Sequence, residues 1–159
     1  MSGLRIDVAD LLAHPGTRRE VRVSAPLEDL AGSAATVTDP IEVAVTLERI
    51  PDGIVVRGTV QTRWQGQCSY CLTELDEPIA LHVDELFEAD PVEGETYPIE
   101  GHEIDLEQLA RDTVVLELPL APHCATPCLP DPAESGTESS SAPDPPDPRW
   151  AALSELEIQ

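Results

Sequence analysis

The chain has no lysine. All nine of its cations are arginine, set against thirty-one carboxylates, for a formal net charge of −22 over 159 residues. So strong a polyanion is repelled by phosphate backbones, and contact with nucleic acid would need a local basic patch. None is visible: Arg18, Arg19 and Arg22 are the densest basic group, and Glu20 interrupts it. Aromatic residues make up only 3% of the chain, so a core has to be assembled from Val, Leu, Ile and Ala. No apolar run is long enough to cross a bilayer, and Met1 to Asp10 lacks the basic start and apolar centre of a signal peptide. A cytoplasmic location is expected, where thiols stay reduced and metal binding is favoured over disulfides.

Catalytic signatures are missing as well. His14, His82, His102 and His123 are dispersed. No Ser/His/Asp order, phosphate-cradling glycine loop or metalloprotease motif is present. Asp84 and Glu85 are adjacent carboxylates, but neighbours on a strand point to opposite faces, which leaves a glycosidase-like pair unsupported. The expectation is a protein that is not an enzyme and has no small-molecule substrate.

What is present is a set of alternating runs. Leu4, Ile6 and Val8 alternate with polar residues, and Asp10 to Gly16 reads as a short helical turn or loop ended by Pro15-Gly16. Arg19 to Ser24 alternates again, and Ala25 to Gly32 suggests another short helical turn. The clearest signal starts at Pro40. Ile41, Val43, Val45 and Leu47 form one face of a half-buried strand, Pro51-Asp52-Gly53 supplies turn chemistry, and Ile54, Val56, Val60 and Trp64 line a second strand. The two should pair as an antiparallel hairpin. A third run follows Pro78, with Ile79, Leu81 and Val83 facing one way.

Residues 84–107 hold ten carboxylates and no arginine, which fits either a solvated loop or a docking surface for a basic partner. A helix is expected from Asp105 to about Leu118. Asp105 is a good N-cap with Gln108 three residues on; Leu106, Leu109, Ala110, Thr113 and Val114 form its apolar face, widened by Val115, Leu116 and Leu118. The fold class expected is therefore β-rich α+β, an antiparallel sheet or partial barrel packed by one main helix, in a single domain over residues 1–128. Residues 129–146, rich in Pro, Ser, Asp and Glu, bury too little apolar surface to offset ordering entropy and read as a disordered linker. Asp147-Pro148 then opens a short C-terminal helix over 147–159 carrying Trp150, Leu153 and Leu156.

All four cysteines fall in two close pairs, Cys68-Ser-Tyr-Cys71 and Cys124-Ala-Thr-Pro-Cys128. Short spacing lets both sulfurs of a pair face one point, and two such knuckles can supply the four soft ligands of a tetrahedral structural zinc. Cys68 and Cys71 lie between the second and third runs, at the tip of a hairpin, and His123 is a substitute ligand. The alternatives are two pairs of inert reduced thiols or a thiol oxidoreductase. The last needs a C-x-x-C at a helix start, whereas here it lies between strands.

These stretches together resemble the bacterial YceD family of large ribosomal RNA subunit accumulation proteins, in its actinobacterial form. The resemblance rests on Asp7-Val-Ala-Asp-Leu11 with His14-Pro-Gly16, Leu47 to Val60, Gly66-Gln-Cys-Ser-Tyr-Cys-Leu72 and Asp84-Glu-Leu-Phe87. It continues through Ile104 to Asp112, Leu118-Pro-Leu-Ala-Pro122 with Cys124 and Cys128, and Asp147-Pro-Arg-Trp-Ala-Ala-Leu153. It implies a non-enzymatic role in 23S ribosomal RNA accumulation and large-subunit assembly, in a family often encoded beside a small basic ribosomal protein. Many relatives follow the C-x-x-x-C element with Gly-Leu-Cys-Pro-x-Cys-Gly; this chain carries Leu129-Pro-Asp-Pro132 instead. A family metal held by that later pair would leave Cys124 and Cys128 with no reason to meet Cys68 and Cys71. The charge points to a basic ribosomal protein or assembly factor as partner, with direct nucleic-acid binding disfavoured. The runner-up reading is a zinc-knuckle module that binds ribosomal RNA itself.

Overall fold

Alternation of β-branched residues with polar ones dictates the centre of the structure. In a computed structural model of the chain, which describes residues 3–126 and 128, the strands Ile41–Ile50 and Gly53–Gln67 are joined at Pro51-Asp52 and pair antiparallel, with Val45 opposite Gly58 and Leu47 opposite Val56. Ile41, Val43, Val45 and Leu47 on one strand and Ile54, Val56, Val60 and Trp64 on the other are buried, so the apolar parity read from the sequence is the core-facing parity.

In chain order the elements are β1 (Arg5–Asp7), α1 (Ala9–Ala13), β2 (Arg18–Ala25), β3 (Ala35–Val37), β4 (Ile41–Ile50), β5 (Gly53–Gln67), β6 (Glu74–Glu88), β7 (Tyr97–Glu100), β8 (Glu103–Asp105) and α2 (Leu106–Glu117). They make one sheet in the order β1-β8-β7-β6-β5-β4-β2, with β3 paired to the far end of β5. Every pairing is antiparallel except the short β6–β7 contact, where Phe87 and Glu88 run parallel to Tyr97 and Pro98. The sheet curls into an open half-barrel. Leu106, Leu109, Ala110 and Val114 of α2 are buried in the same apolar cluster as the inner faces of β4 and β5. Asp105 starts that helix by accepting the Glu107 N–H at 2.8 Å.

Four expectations need correction. Ala25 to Gly32 is not helical; it is a turn in which Asp29 takes a positive φ of 56° and Ala31 bridges to Thr36. The third strand begins at Glu74 rather than after Pro78, and Pro78 lies within it opposite Arg63. Only Phe87 and Glu88 of β6 meet β7, so among the described residues one side of β6 carries no neighbouring strand over most of its length, and a proline without an N–H is tolerated there. The acidic stretch 84–107 is largely structured, supplying the end of β6, then β7, β8 and the start of α2. Finally, Val115 and Leu116 do not widen the buried face of α2: Leu116 is 83% exposed, while Leu118 just beyond the helix is buried.

The chain divides into two units, Met1–Cys128 and Leu129–Gln159. The linker expected over 129–146 and the helix expected over 147–159 lie outside the described residues. Among the described residues, no helix is long and apolar enough to cross a membrane.

Candidate metal centre

The β5–β6 ladder fixes one half of the cluster. It closes with Gln67 opposite Glu74, leaving residues 68–73 as the loop at its tip. Within that loop the Cys68 N–H donates to the Thr73 carbonyl at 2.9 Å, and the Leu72 N–H returns to the Cys68 carbonyl at 3.0 Å. The return requires the chain to turn sharply after Cys71, and Leu72 does so with a positive φ of 62°, a conformation uncommon for a branched side chain. Cys68 is fully buried within this loop although it lies outside the hydrophobic cluster.

The other half arrives from the end of α2. Leu118 is buried and its N–H closes the helix on Val114 O at 3.0 Å. The chain then runs to Pro122, whose carbonyl accepts the Ser69 N–H at 2.7 Å. That backbone bond sets the second knuckle beside the first. Cys68 Sγ lies 3.5 Å from Cys128 Sγ and Cys71 Sγ 3.5 Å from Cys124 Sγ; all four sulfurs fall within 4.8 Å of one another. A tetrahedral thiolate site with metal–sulfur bonds near 2.3 Å has sulfur–sulfur edges of about 3.8 Å, so the observed spacing brackets what such an ion needs. His123 is exposed, with Nδ1 against the Ala121 carbonyl at 3.4 Å, and does not join the cluster. The two knuckles do meet, although Leu129-Pro-Asp-Pro132 follows the second.

The electrostatics favour anionic sulfur on the first knuckle. The backbone N–H groups of Cys71 and Tyr70 draw the Cys68 thiol down to about 6, against the opposing effect of burial. Cys71 is also lowered, chiefly by the Thr73 hydroxyl, whose Oγ1 lies 3.2 Å away, and by the Thr73 backbone. Cys124, sharing a hydrogen bond with Cys71 and another with Cys68, is pushed up to about 12, and Cys128 is raised chiefly by Cys68. Proton loss is thus eased at the first knuckle and opposed at the second, and a cation binding all four sulfurs would displace the protons that remain. With four sulfur donors, the cluster can hold a metal.

The sequence pointed to the four cysteines but not to their supports. Thr73, Leu72 and Pro122 carry no metal-binding signature; the hydroxyl of Thr73, two residues past Cys71, was the one available hint.

A curled, mostly antiparallel sheet with a four-cysteine cluster at the tip of its longest hairpin defines a small β-rich domain. Over residues 56–157 it matches the family described as "Large ribosomal RNA subunit accumulation protein YceD", and the chain belongs to that family. Its relatives include the Mycobacterium leprae protein ML1660, 30% identical over 171 aligned positions that cover 98% of this chain and 78% of the relative. The Mycobacterium tuberculosis protein Rv2926c is 28% identical over 169 positions, covering 98% and 82%. Both are described as uncharacterized. No solved structure matches the chain.

Proposed function

We propose that this protein is a non-enzymatic ribosome biogenesis factor that supports 23S ribosomal RNA accumulation and large-subunit assembly by holding a basic ribosomal protein or assembly factor. The carrying observation is the family match, whose description names accumulation of the large ribosomal RNA. The charge of −22 selects the kind of contact: a polyanion attracts cationic protein and is repelled by another polyanion. Zinc, held by Cys68, Cys71, Cys124 and Cys128, is the structural cofactor in this reading. Four thiolates close its coordination sphere and leave no position for a substrate, which supports a role other than catalysis. A deletion strain should accumulate less 23S ribosomal RNA and regain it with the intact gene. The tagged protein should co-purify with basic large-subunit proteins at low salt and lose them at high salt; recovery of bare RNA without protein would refute the reading.

One observation favours the second reading, a knuckle that binds ribosomal RNA directly. Tyr70 is 64% exposed at the tip of the loop, beside an exposed Leu72, and an exposed aromatic ring can stack on an unpaired base. Against it, no arginine lies between Arg63 and Arg111, so the 68–73 loop has no cation to meet a phosphate, and Glu74 follows it directly. Salt-sensitive binding to a 23S fragment, lost on Cys68→Ser, would favour this alternative.

A further inference from the structure

Most arginines among the described residues pair with particular carboxylates. Arg5 meets Glu100, Glu103 and Asp105; Arg18 and Arg57 meet Glu48; Arg57 also meets Asp84, Arg63 meets Asp76, and Arg19 meets Asp10. Several of the carboxylates outside this pairing gather at one place. Between α2 and the segment joining β6 to β7 runs an open groove of about 870 Å³. Its lining includes Glu85, Glu93, Glu95 and Asp112, and among the described residues no arginine forms an ion pair with any of the four. Arg111 also lines it, but its guanidinium is engaged by Glu107 at 3.3 Å and the Glu28 carbonyl at 3.1 Å.

The groove is not merely acidic. Val115 and Leu116 of α2 line it, 41% and 83% exposed, on a helix whose opposite face is buried. Its far wall is held in shape. Thr96 Oγ1 donates to Glu88 Oε1 and accepts the Val92 N–H, both at 2.7 Å, while the N–H groups of Glu95 and Thr96 both close on the Val92 carbonyl at 3.0 Å. The Tyr97 hydroxyl donates to Asp112 Oδ2 at 3.2 Å and so links the strand wall to the helix wall. A preformed cleft with an apolar strip and uncompensated carboxylates is complementary to one kind of polypeptide: a segment with apolar residues on one side and Arg or Lys on the other.

We propose that this groove is the docking site for a basic, amphipathic segment of a partner protein. The proposal rests on the reading of a basic protein partner given above and assigns that contact to Glu85, Glu93, Glu95, Asp112, Val115 and Leu116. Charge complementarity selects the occupant. The chain's own segment 129–159 carries a single arginine, Arg149, among seven carboxylates and is a poor electrostatic match. A second copy of the domain brings the same negative sign.

The test uses the full chain, isotope-labelled, and a short synthetic peptide of Arg and Leu placed so that a helix would put them on opposite faces. Two control peptides replace Arg by Glu or Leu by Ser. The Arg/Leu peptide should shift the amide resonances of residues 91–97 and of α2. Binding should weaken at least about fivefold in Leu116→Ser and again in the double variant Glu93→Gln/Glu95→Gln, and should fall with added salt. The substituted side chains line the solvent-open groove, and an unchanged circular dichroism spectrum would confirm that the variants fold. Shifts confined to other surfaces, equal binding of the Ser-containing control, or variants that bind as the parent does would each overturn the proposal. So would release of residues 129–159 by the peptide, or a self-association abolished by Leu116→Ser. Recovery of basic large-subunit proteins from lysate by the parent and by Leu116→Ser separates the two claims. Loss only in the variant supports the groove. Equal recovery by both overturns the groove and leaves the broader reading standing, and recovery by neither overturns the broader reading and, with it, the assignment of its partner to this groove.

Discussion

At one end of the β5–β6 hairpin Phe87 is fully buried, opposite Ile54 and stacked on Tyr97 with ring centroids 5.1 Å apart. At the other end Cys68 is fully buried too, but its neighbours are sulfurs and amides, and Tyr70 and Leu72 beside it are exposed. The first end is held by apolar area removed from water. The second has little such area, and the described contacts that cross from the loop to the 118–128 arm are the Ser69–Pro122 backbone bond and the sulfur cluster. In a chain with few aromatics, the core carries the sheet as far as Trp64, and a metal can carry the remaining turn. With a metal in the cluster, the same hairpin would have two separate sources of order.

The largest effect should come from the sulfur end. Binding of zinc to four thiolates is worth on the order of 10 kcal/mol near neutral pH. Chelation, or Cys68→Ser, should abolish amide-exchange protection in residues 68–73 and 122–126 while leaving β4 and the first half of β5 protected; loss of protection throughout would mean that the two ends are one unit. Next comes the apolar end. Phe87→Ala should cost about 3–5 kcal/mol in chemical denaturation, with zinc content unchanged.

A backbone change between the two ends should be smaller. Gly58 pairs with Val45 on one side and Val83 on the other, and a Cβ there would run into the Ala44 carbonyl oxygen. Gly58→Ala should therefore cost about 1–3 kcal/mol, measured by the same denaturation. Smallest is the cap of α2: Asp105→Ala should lose about 1 kcal/mol, seen as a modest drop in melting temperature with the cluster intact.

How much of this could be read from residue order depends on how local each cause is. The β4–β5 hairpin was legible because Ile41 to Leu47 alternates throughout, Ile54, Val56, Val60 and Trp64 share one parity, and a Pro-Asp-Gly turn separates the two runs. The start of α2 was legible because its cap and its first apolar residues are neighbours in sequence. The first half of β6 was not, since Glu74 to Pro78 is polar apart from Leu75 and contains a proline; its strand character comes from pairing with β5, which is a tertiary cause. β7 and β8 were hidden by their brevity and by the carboxylates around them. Residues 25–32 were misread because a local helical pattern was overridden by the bridge from Ala31 to Thr36. The cysteines announced themselves as two pairs, but their meeting depends on the path of α2 and on the Ser69–Pro122 bond, which no spacing rule encodes. The groove beside α2 was invisible for a similar reason: Leu116 read as core, and only the fold shows that it faces water next to unpaired carboxylates.

One ion shared by the four sulfurs is what would tie the 68–73 loop to the arm that follows α2. Metal analysis of freshly purified, untagged protein, with X-ray absorption at the zinc edge, should find one zinc per chain surrounded by four sulfurs at about 2.3 Å. Protein that is metal-free as isolated, with all four thiols open to alkylation and no uptake of added zinc, would contradict it.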